Sequence, residues 1–273
     1  ALAVAAKALV GAASTPRFRR LAAPWVGLSF RGAISIVFAG YAATHIFGAG
    51  LSSPYRGYAL AREGVAAGAA VTLIALEKYL ELLVFVLLVM PVALALGTPG
   101  PLRWVFLGWA VTLAVVLAIG LVLYLVQKRG RSGRLGRMAG GLVKLRAGRH
   151  LHVAVALTAL ATLSDLVCLY ASLRAVGVPA GLRTAIFAHL GAQLALTIPG
   201  PPSSAGVLEA GVVITLGTLG IDAGQALAAG LLFHAVRILV ELPVGLSFLR
   251  TTAWRPWRGA PVVMEATPDR GSA

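Results

Sequence analysis

Hydrophobic positions in this chain come in long unbroken runs rather than in the alternating or one-face patterns of a fold that meets water. From Trp104 to Val126 no charged residue occurs over 23 positions, which at about 1.5 Å per residue covers the ~30 Å hydrocarbon core of a bilayer. Comparable runs predict transmembrane helices over about 64–96, 104–126, 153–175 and 223–249. Within lipid, backbone N–H and C=O groups must be satisfied inside the segment, and these Ala/Leu/Val runs lack the alternation of a barrel strand. The predicted class is therefore all-α: a polytopic helical membrane protein with one transmembrane domain over 1–250. Residues 251–273 are expected to form a disordered cytoplasmic tail.

Two further stretches are apolar but interrupted. Residues 21–53 lie between the basic segments Arg17–Arg20 and Arg56–Arg62, and a single crossing would place one of these outside. A hairpin that enters and leaves on the cytoplasmic side satisfies both, with its break expected among the glycines of Gly40–Gly50. Residues 184–219 contain Ile198-Pro-Gly-Pro-Pro-Ser-Ser-Ala-Gly206, whose prolines cannot continue a helix. A second re-entrant hairpin, from the outer side, is predicted there. Non-helical backbone at membrane depth is tolerated only where protein or a wet cavity surrounds it, so the two breaks are the first candidates for a site. A repeat accompanies them: Gly64, Ala67, Gly68 and Ala70 recur as Gly220, Ala223, Gly224 and Ala226. Each set opens a long helix after a predicted hairpin, and opposite helix directions would make the halves inverted repeats, a common transporter plan.

Composition supports a membrane location: 59% of the 273 residues are hydrophobic and 12% charged, against roughly 25% charged in soluble domains. The formal net charge of +15 would suggest nucleic acid in a soluble chain. Here Lys128, Arg129, Arg131, Arg134, Arg137, Lys144, Arg146 and Arg149 crowd the loop 127–152 without an acidic residue, as expected of a cytoplasmic loop of a multi-pass cell-membrane protein facing anionic lipid headgroups. Nucleic acid is therefore not an expected partner. Ala1–Ala13 reads as the stump of a longer helix rather than a signal peptide, because Arg17, Arg19 and Arg20 follow its apolar run. The only cysteine, Cys168, sits in an apolar run and is expected to pack.

Ionisable residues inside apolar spans are costly unless paired or facing a cavity. Glu77 and Glu81 share one helix face with Lys78 beside them. At the repeat offset Lys78 falls opposite His234 and Glu81 opposite Arg237, with Glu241 one turn on. Such a cluster suits an anionic headgroup or a proton relay; equally, Arg237–Glu241 and Glu81–Lys78 pairs would merely neutralise each other and lock helices together. Asp165, mid-span without a charged neighbour, needs a partner elsewhere and is a candidate proton relay. Glu209 follows the Pro/Gly break, where the helix dipole favours a carboxylate. His45 and His189 read as satisfied polar groups rather than metal ligands, and Arg56 and Arg62 as phosphate grips or snorkelling boundary residues. No nucleophile elbow, His-Glu-x-x-His pair or phosphate loop occurs, so a stand-alone enzyme is disfavoured and no cofactor or metal is expected.

Ile198-Pro-Gly-Pro-Pro-Ser-Ser-Ala-Gly-Val-Leu-Glu209 resembles the Ile-Pro, Pro-Gly-Gly, Gly-Val-x-Glu signature of the lysylphosphatidylglycerol synthase transmembrane region. That region is the flippase-like half of bacterial multiple peptide resistance factors. Glu77-Lys-Tyr-Leu-Glu81 is similar to the family's Glu-Arg-x-x-Asp element, and Arg56 to the arginine ending its Pro-x-x-x-Gly-Glu-x-x-Arg stretch; the resemblance covers most of 17–250. The chain departs from the pattern at Ser52 and Ser53, at Thr44 and His45, at Ser203 and Ser204 in place of paired glycines, at Lys78, and at His234 in an arginine position. The resemblance implies movement or binding of an anionic phospholipid or polyprenyl-phosphate lipid between leaflets. The expected path is Arg56, Glu77, Lys78, Glu81, Pro199, Gly200, Pro202, Gly206, Glu209, His234, Arg237 and Glu241. The alternative is a non-transporting accessory subunit or anchor for a partner synthase or glycosyltransferase; a homo-oligomer is compatible with either.

Overall fold

The computed structural model describes residues 1–48, 51–97, 100, 103–128, 150–197 and 201–253. Most of the basic loop 127–152, most of the tail 251–273, and Pro199 and Gly200 lie outside the described residues. Among the described residues the architecture is helical with no strand. The elements are α1 (Leu2–Ala22), α2 (Phe30–Phe47), α3 (Ser52–Arg62), α4 (Ala67–Ala95), α5 (Arg103–Lys128), α6 (His150–Ala175), α7 (Leu182–Ala195), a 3-10 turn (Pro202–Ser204), α8 (Val207–Gly217) and α9 (Ala223–Ala253).

The long apolar runs become α4, α5, α6 and α9, each within a few residues of its predicted ends. Helices α2, α6 and α9 are long and apolar enough to cross a membrane. In α4, 29 residues long, Glu77, Lys78 and Glu81 interrupt the apolar run. The exterior is apolar: Ile214 is 67% exposed, Leu239 63% and Leu87 59%, while the charged side chains of Lys7, Arg17, Arg56, Glu77, Asp165, Glu209 and Glu241 are buried. That inversion of a soluble fold fits a bilayer solvent.

Helix α1 packs along α6, α9 against α2 and α8, and α7 against α8. One core region joins Phe18 and Leu21 of α1 to Val37, Leu60 and Leu73 of α2, α3 and α4. A second joins Leu169 and Leu173 of α6 to Leu208, Leu216 and Phe233 of α8 and α9. Cys168 is buried in this second region, where it packs as expected.

One expectation needs correction: helix α1 continues beyond Ala13 through Pro16 to Ala22 and carries Arg17, Arg19 and Arg20 within it. The break expected among the glycines of Gly40–Gly50 falls at Gly48, where α2 ends and whose N–H bonds the Thr44 carbonyl. Gly40 serves a close approach instead, since a Cβ there would collide with the Nε, Cγ and Cδ of Arg56.

Local structure recurs at the offset seen in the sequence. Gly64 (φ +84°) and Gly220 (φ +75°) each take the left-handed region just before α4 and α9. The N–H of Val65 bonds the Leu60 carbonyl at 3.0 Å, and that of Ile221 bonds the Leu216 carbonyl at 3.2 Å. These closures satisfy the orphan carbonyls at the ends of α3 and α8.

The Arg56 guanidinium is anchored to Glu77 Oε2 at 2.8 Å, so its stem yields to a larger residue at position 40 only by straining that pair. Gly40→Val is expected to destabilise the protein by about 1–3 kcal/mol, the usual range for overpacking, read as a lower unfolding temperature in detergent.

Candidate functional site

Two cations from α1 organise the buried charges. Arg17, 2% exposed, donates through Nη2 to Glu77 Oε1 at 2.7 Å and to Glu81 Oε1 at 2.5 Å. Arg56 of α3 donates through Nη1 to the other Glu77 oxygen at 2.8 Å. Both oxygens of Glu77, which is fully buried, therefore face a guanidinium. Lys78 Nζ lies 2.8 Å from Glu81 Oε2, so the expected Glu81–Lys78 pair is present. Arg56 is no snorkelling boundary residue: it is 2% exposed and lies 5.2 Å from the Tyr41 ring centroid and 5.9 Å from that of Phe18. Arg17, read from the sequence as part of a flanking basic segment, also points inward, whereas Arg19 and Arg20 are exposed.

One end of a second network rests on Lys7, also from α1. Its Nζ lies 3.0 Å from Asp165 Oδ1 of α6 and 2.9 Å from Glu241 Oε1 of α9. Gln193 of α7 donates to the other Asp165 oxygen at 3.3 Å. The partner that Asp165 required is thus a lysine 158 residues away. Glu241 faces His45 Nε2 of α2 at 2.8 Å, so the expected Arg237–Glu241 pair is absent.

Beyond His45 the network reaches the Pro/Gly break. Ser203 Oγ lies 3.3 Å from His45 Nδ1 and 2.6 Å from His234 Nε2, and His234 Nδ1 lies 2.6 Å from Glu209 Oε1. The other Glu209 oxygen accepts the Gly206 N–H at 2.8 Å, capping α8. Glu209 is therefore both the cap the sequence predicted and the partner of His234. Ser203 (φ +62°) and Ser204 (φ +59°) occupy the left-handed region, which costs a non-glycine residue roughly 1–2 kcal/mol. A hydrogen bond donated by the Ser203 hydroxyl to one of the two imidazoles offsets part of that cost.

Both networks border one cavity of about 500 Å³. Its lining carries the cations Lys7, Arg17, Arg56, Lys78 and Arg237 and the carboxylates Glu81, Asp165 and Glu241, together with Ser203, Ser204, His45 and Gln193. Arg237 stands apart. Among the described residues no carboxylate pairs with it, its Nε has no hydrogen-bond partner, and its guanidinium lies 5.8 Å from the Phe233 ring centroid.

Of the residues singled out in the sequence, Arg56, Lys78, Glu81, Arg237 and Glu241 border this cavity. Glu77 stands behind its wall, joined to it by Arg17 and Arg56. Glu209 and His234 reach the cavity through Ser203. Pro202 opens the 3-10 turn and Gly206 precedes α8. His45 is satisfied as predicted, but His189 is not: its Nδ1 is buried without a partner and its ring lies 5.5 Å from that of Phe85. The sequence reading missed Lys7, Arg17 and Ser203 as site residues. The available signal was that a lone lysine in an apolar run and a lone aspartate in another each require a partner.

A family model described as the Lysylphosphatidylglycerol synthase TM region matches residues 1–245. No curated protein and no solved structure matches the chain.

The geometry ranks the charges by cost of removal. Glu77→Gln leaves two buried guanidinium groups short of a counter-charge and is expected to cost about 3–5 kcal/mol. Lys78→Met, whose side chain is 56% exposed, should cost no more than about 1 kcal/mol. Unfolding of both variants in detergent micelles measures the difference.

Proposed function

Because the chain belongs to the lysylphosphatidylglycerol synthase TM region family, we propose that it binds a phospholipid or polyprenyl-linked lipid and moves it between the leaflets of the cell membrane. The observation that carries this reading is the polar cavity inside an apolar exterior, in which Arg237, among the described residues, has no carboxylate in ion-pair contact and an Nε without a hydrogen-bond partner. A lipid phosphate supplies what Arg237 lacks, since guanidinium groups bind phosphate oxygens with charge-assisted hydrogen bonds. The acyl chains remain among the apolar side chains outside.

On this reading 21–53 and 184–219 are re-entrant hairpins from opposite faces, and the two halves are inverted repeats around the cavity. Support comes from length. Helices α7 and α8, within 184–219, have 14 and 11 residues, which at about 1.5 Å per residue fall short of a ~30 Å hydrocarbon core. Loop 127–152 and the C-terminal tail are then cytoplasmic, placed there by their arginines. Movement of the lipid needs no covalent step, so this function is transport rather than catalysis.

One observation favours a second reading, an accessory subunit for a lipid-modifying synthase or glycosyltransferase: the buried carboxylates Glu77, Asp165 and Glu241 and the partly exposed Glu81 all have cationic partners within the protein. Charges so paired suit a rigid scaffold. Arg237 decides between the two.

Arg237→Ala in proteoliposomes is expected to slow leaflet exchange of an anionic phospholipid about 10- to 100-fold, the equivalent of one lost charge-assisted hydrogen bond, without lowering the unfolding temperature. Unchanged exchange in the folded variant would favour the scaffold.

A further inference from the structure

The hydroxyl of Ser203 is held as an enzyme nucleophile is held. A carboxylate only accepts hydrogen bonds, so the His234 nitrogen facing Glu209, Nδ1, carries the ring proton. That leaves the lone pair of Nε2 directed at Ser203 Oγ, 2.6 Å away. Glu209 is itself fixed, because its second oxygen is bound by the Gly206 N–H. Glu209 and His234 are 4% and 6% exposed, while Ser203 is only partly buried and borders the cavity. The arrangement is therefore an oriented carboxylate, an imidazole in the correct tautomer, and a hydroxyl open to a substrate volume. Activated serines are recognised by these geometric roles and not by sequence order. The left-handed backbone of Ser203 places the hydroxyl at a sharp turn rather than along a helix.

We infer that Ser203 is a nucleophile for acyl transfer from a lipid ester, with His234 as its general base and Glu209 as the residue that positions His234. The lipid class rests on the proposed lipid-binding function; the nucleophile rests on geometry alone. In the first step Ser203 Oγ bonds to the ester carbonyl carbon as its proton passes to His234 Nε2. The tetrahedral adduct then breaks the bond to the alkoxy oxygen, which takes the proton from His234 and leaves as the lipid alcohol. Water repeats the sequence on the acyl-Ser203, releasing the carboxylic acid and restoring the hydroxyl. Negative charge on the carbonyl oxygen develops in a cavity whose lining carries five cations against three carboxylates.

His45 offers the same hydroxyl a second acceptor: its Nε2–H faces Glu241 and its Nδ1 lies 3.3 Å from Ser203 Oγ. A complete test therefore removes both rings.

The experiment treats the purified chain in nanodiscs with an alkyl fluorophosphonate and locates the adduct by peptide mass, with turnover of a p-nitrophenyl acyl ester measured alongside. The expected result is an adduct on Ser203 and ester turnover, both abolished in Ser203→Ala. The His234→Gln, His45→Gln double variant should label at least about 100-fold more slowly, in line with loss of a triad base. Glu209→Gln should slow labelling, with Glu209→Asp restoring part of the rate at an unchanged unfolding temperature. An unmodified Ser203 on folded wild-type protein would overturn the inference, as would labelling at the wild-type rate in the folded double variant. The probe carries no headgroup, so its reaction is independent of lipid movement. Lipid exchange without labelling removes the nucleophile and keeps the transporter; labelling without exchange does the reverse.

Discussion

A charge within a bilayer is tolerated beside its opposite or facing a wet cavity, and in this protein α1 supplies the cations that pair four interior carboxylates. Lys7 reaches Asp165 of α6 and Glu241 of α9; Arg17, about 15 Å further along the helix by its rise, reaches Glu77 and Glu81 of α4. Four carboxylates on three other helices are thereby tied to one rod. Apolar burial drives helix association weakly in lipid, because the tails are as apolar as leucine. Close packing and polar pairs must therefore fix the arrangement. The extensive contact of α1 with α6 and the two cationic anchors are parts of one solution.

The consequence is a cavity whose walls are largely neutralised from within, which sharpens the role of the group that is not. Arg237 sits on α9 one turn from Glu241, yet Lys7 and His45 occupy that carboxylate's two oxygens. The arginine therefore borders the cavity without a carboxylate in ion-pair contact among the described residues. An interior with every cation paired would bind an anion only by breaking a pair, at a cost of several kcal/mol; on the proposed lipid-binding reading, one cation without such a contact lowers that barrier.

The long helices were legible because an apolar run of more than twenty residues has few alternatives, and α4, α5, α6 and α9 begin and end close to where the runs do. The turn after α2 was legible as a range, and it falls at Gly48 within Gly40–Gly50. Glycines that permit a break also permit close contact, and only the structure shows that Gly40 makes room for Arg56. Arg17 was misread for a related reason: an arginine beside an apolar run looks like a flank until its carboxylate, 60 residues away, is seen. The expected pairing of Arg237 with Glu241 followed from helix spacing alone and was overridden by Lys7, a residue whose reach along the chain no periodicity reveals. Ser203, His234 and Glu209 match no catalytic motif, because three separate elements assemble them.

The turn at Ser203 and Ser204 sets fold against chemistry. Glycine at either position would relax the left-handed backbone, and on stability alone it is the better residue. At position 203 it would also sever the bridge between the two imidazoles, detaching the Glu209 end of the network from the Lys7 end. Mutational drift at this turn therefore trades robustness for wiring, and a chain that keeps the Ser203 hydroxyl carries a standing conformational cost at the wall of its cavity.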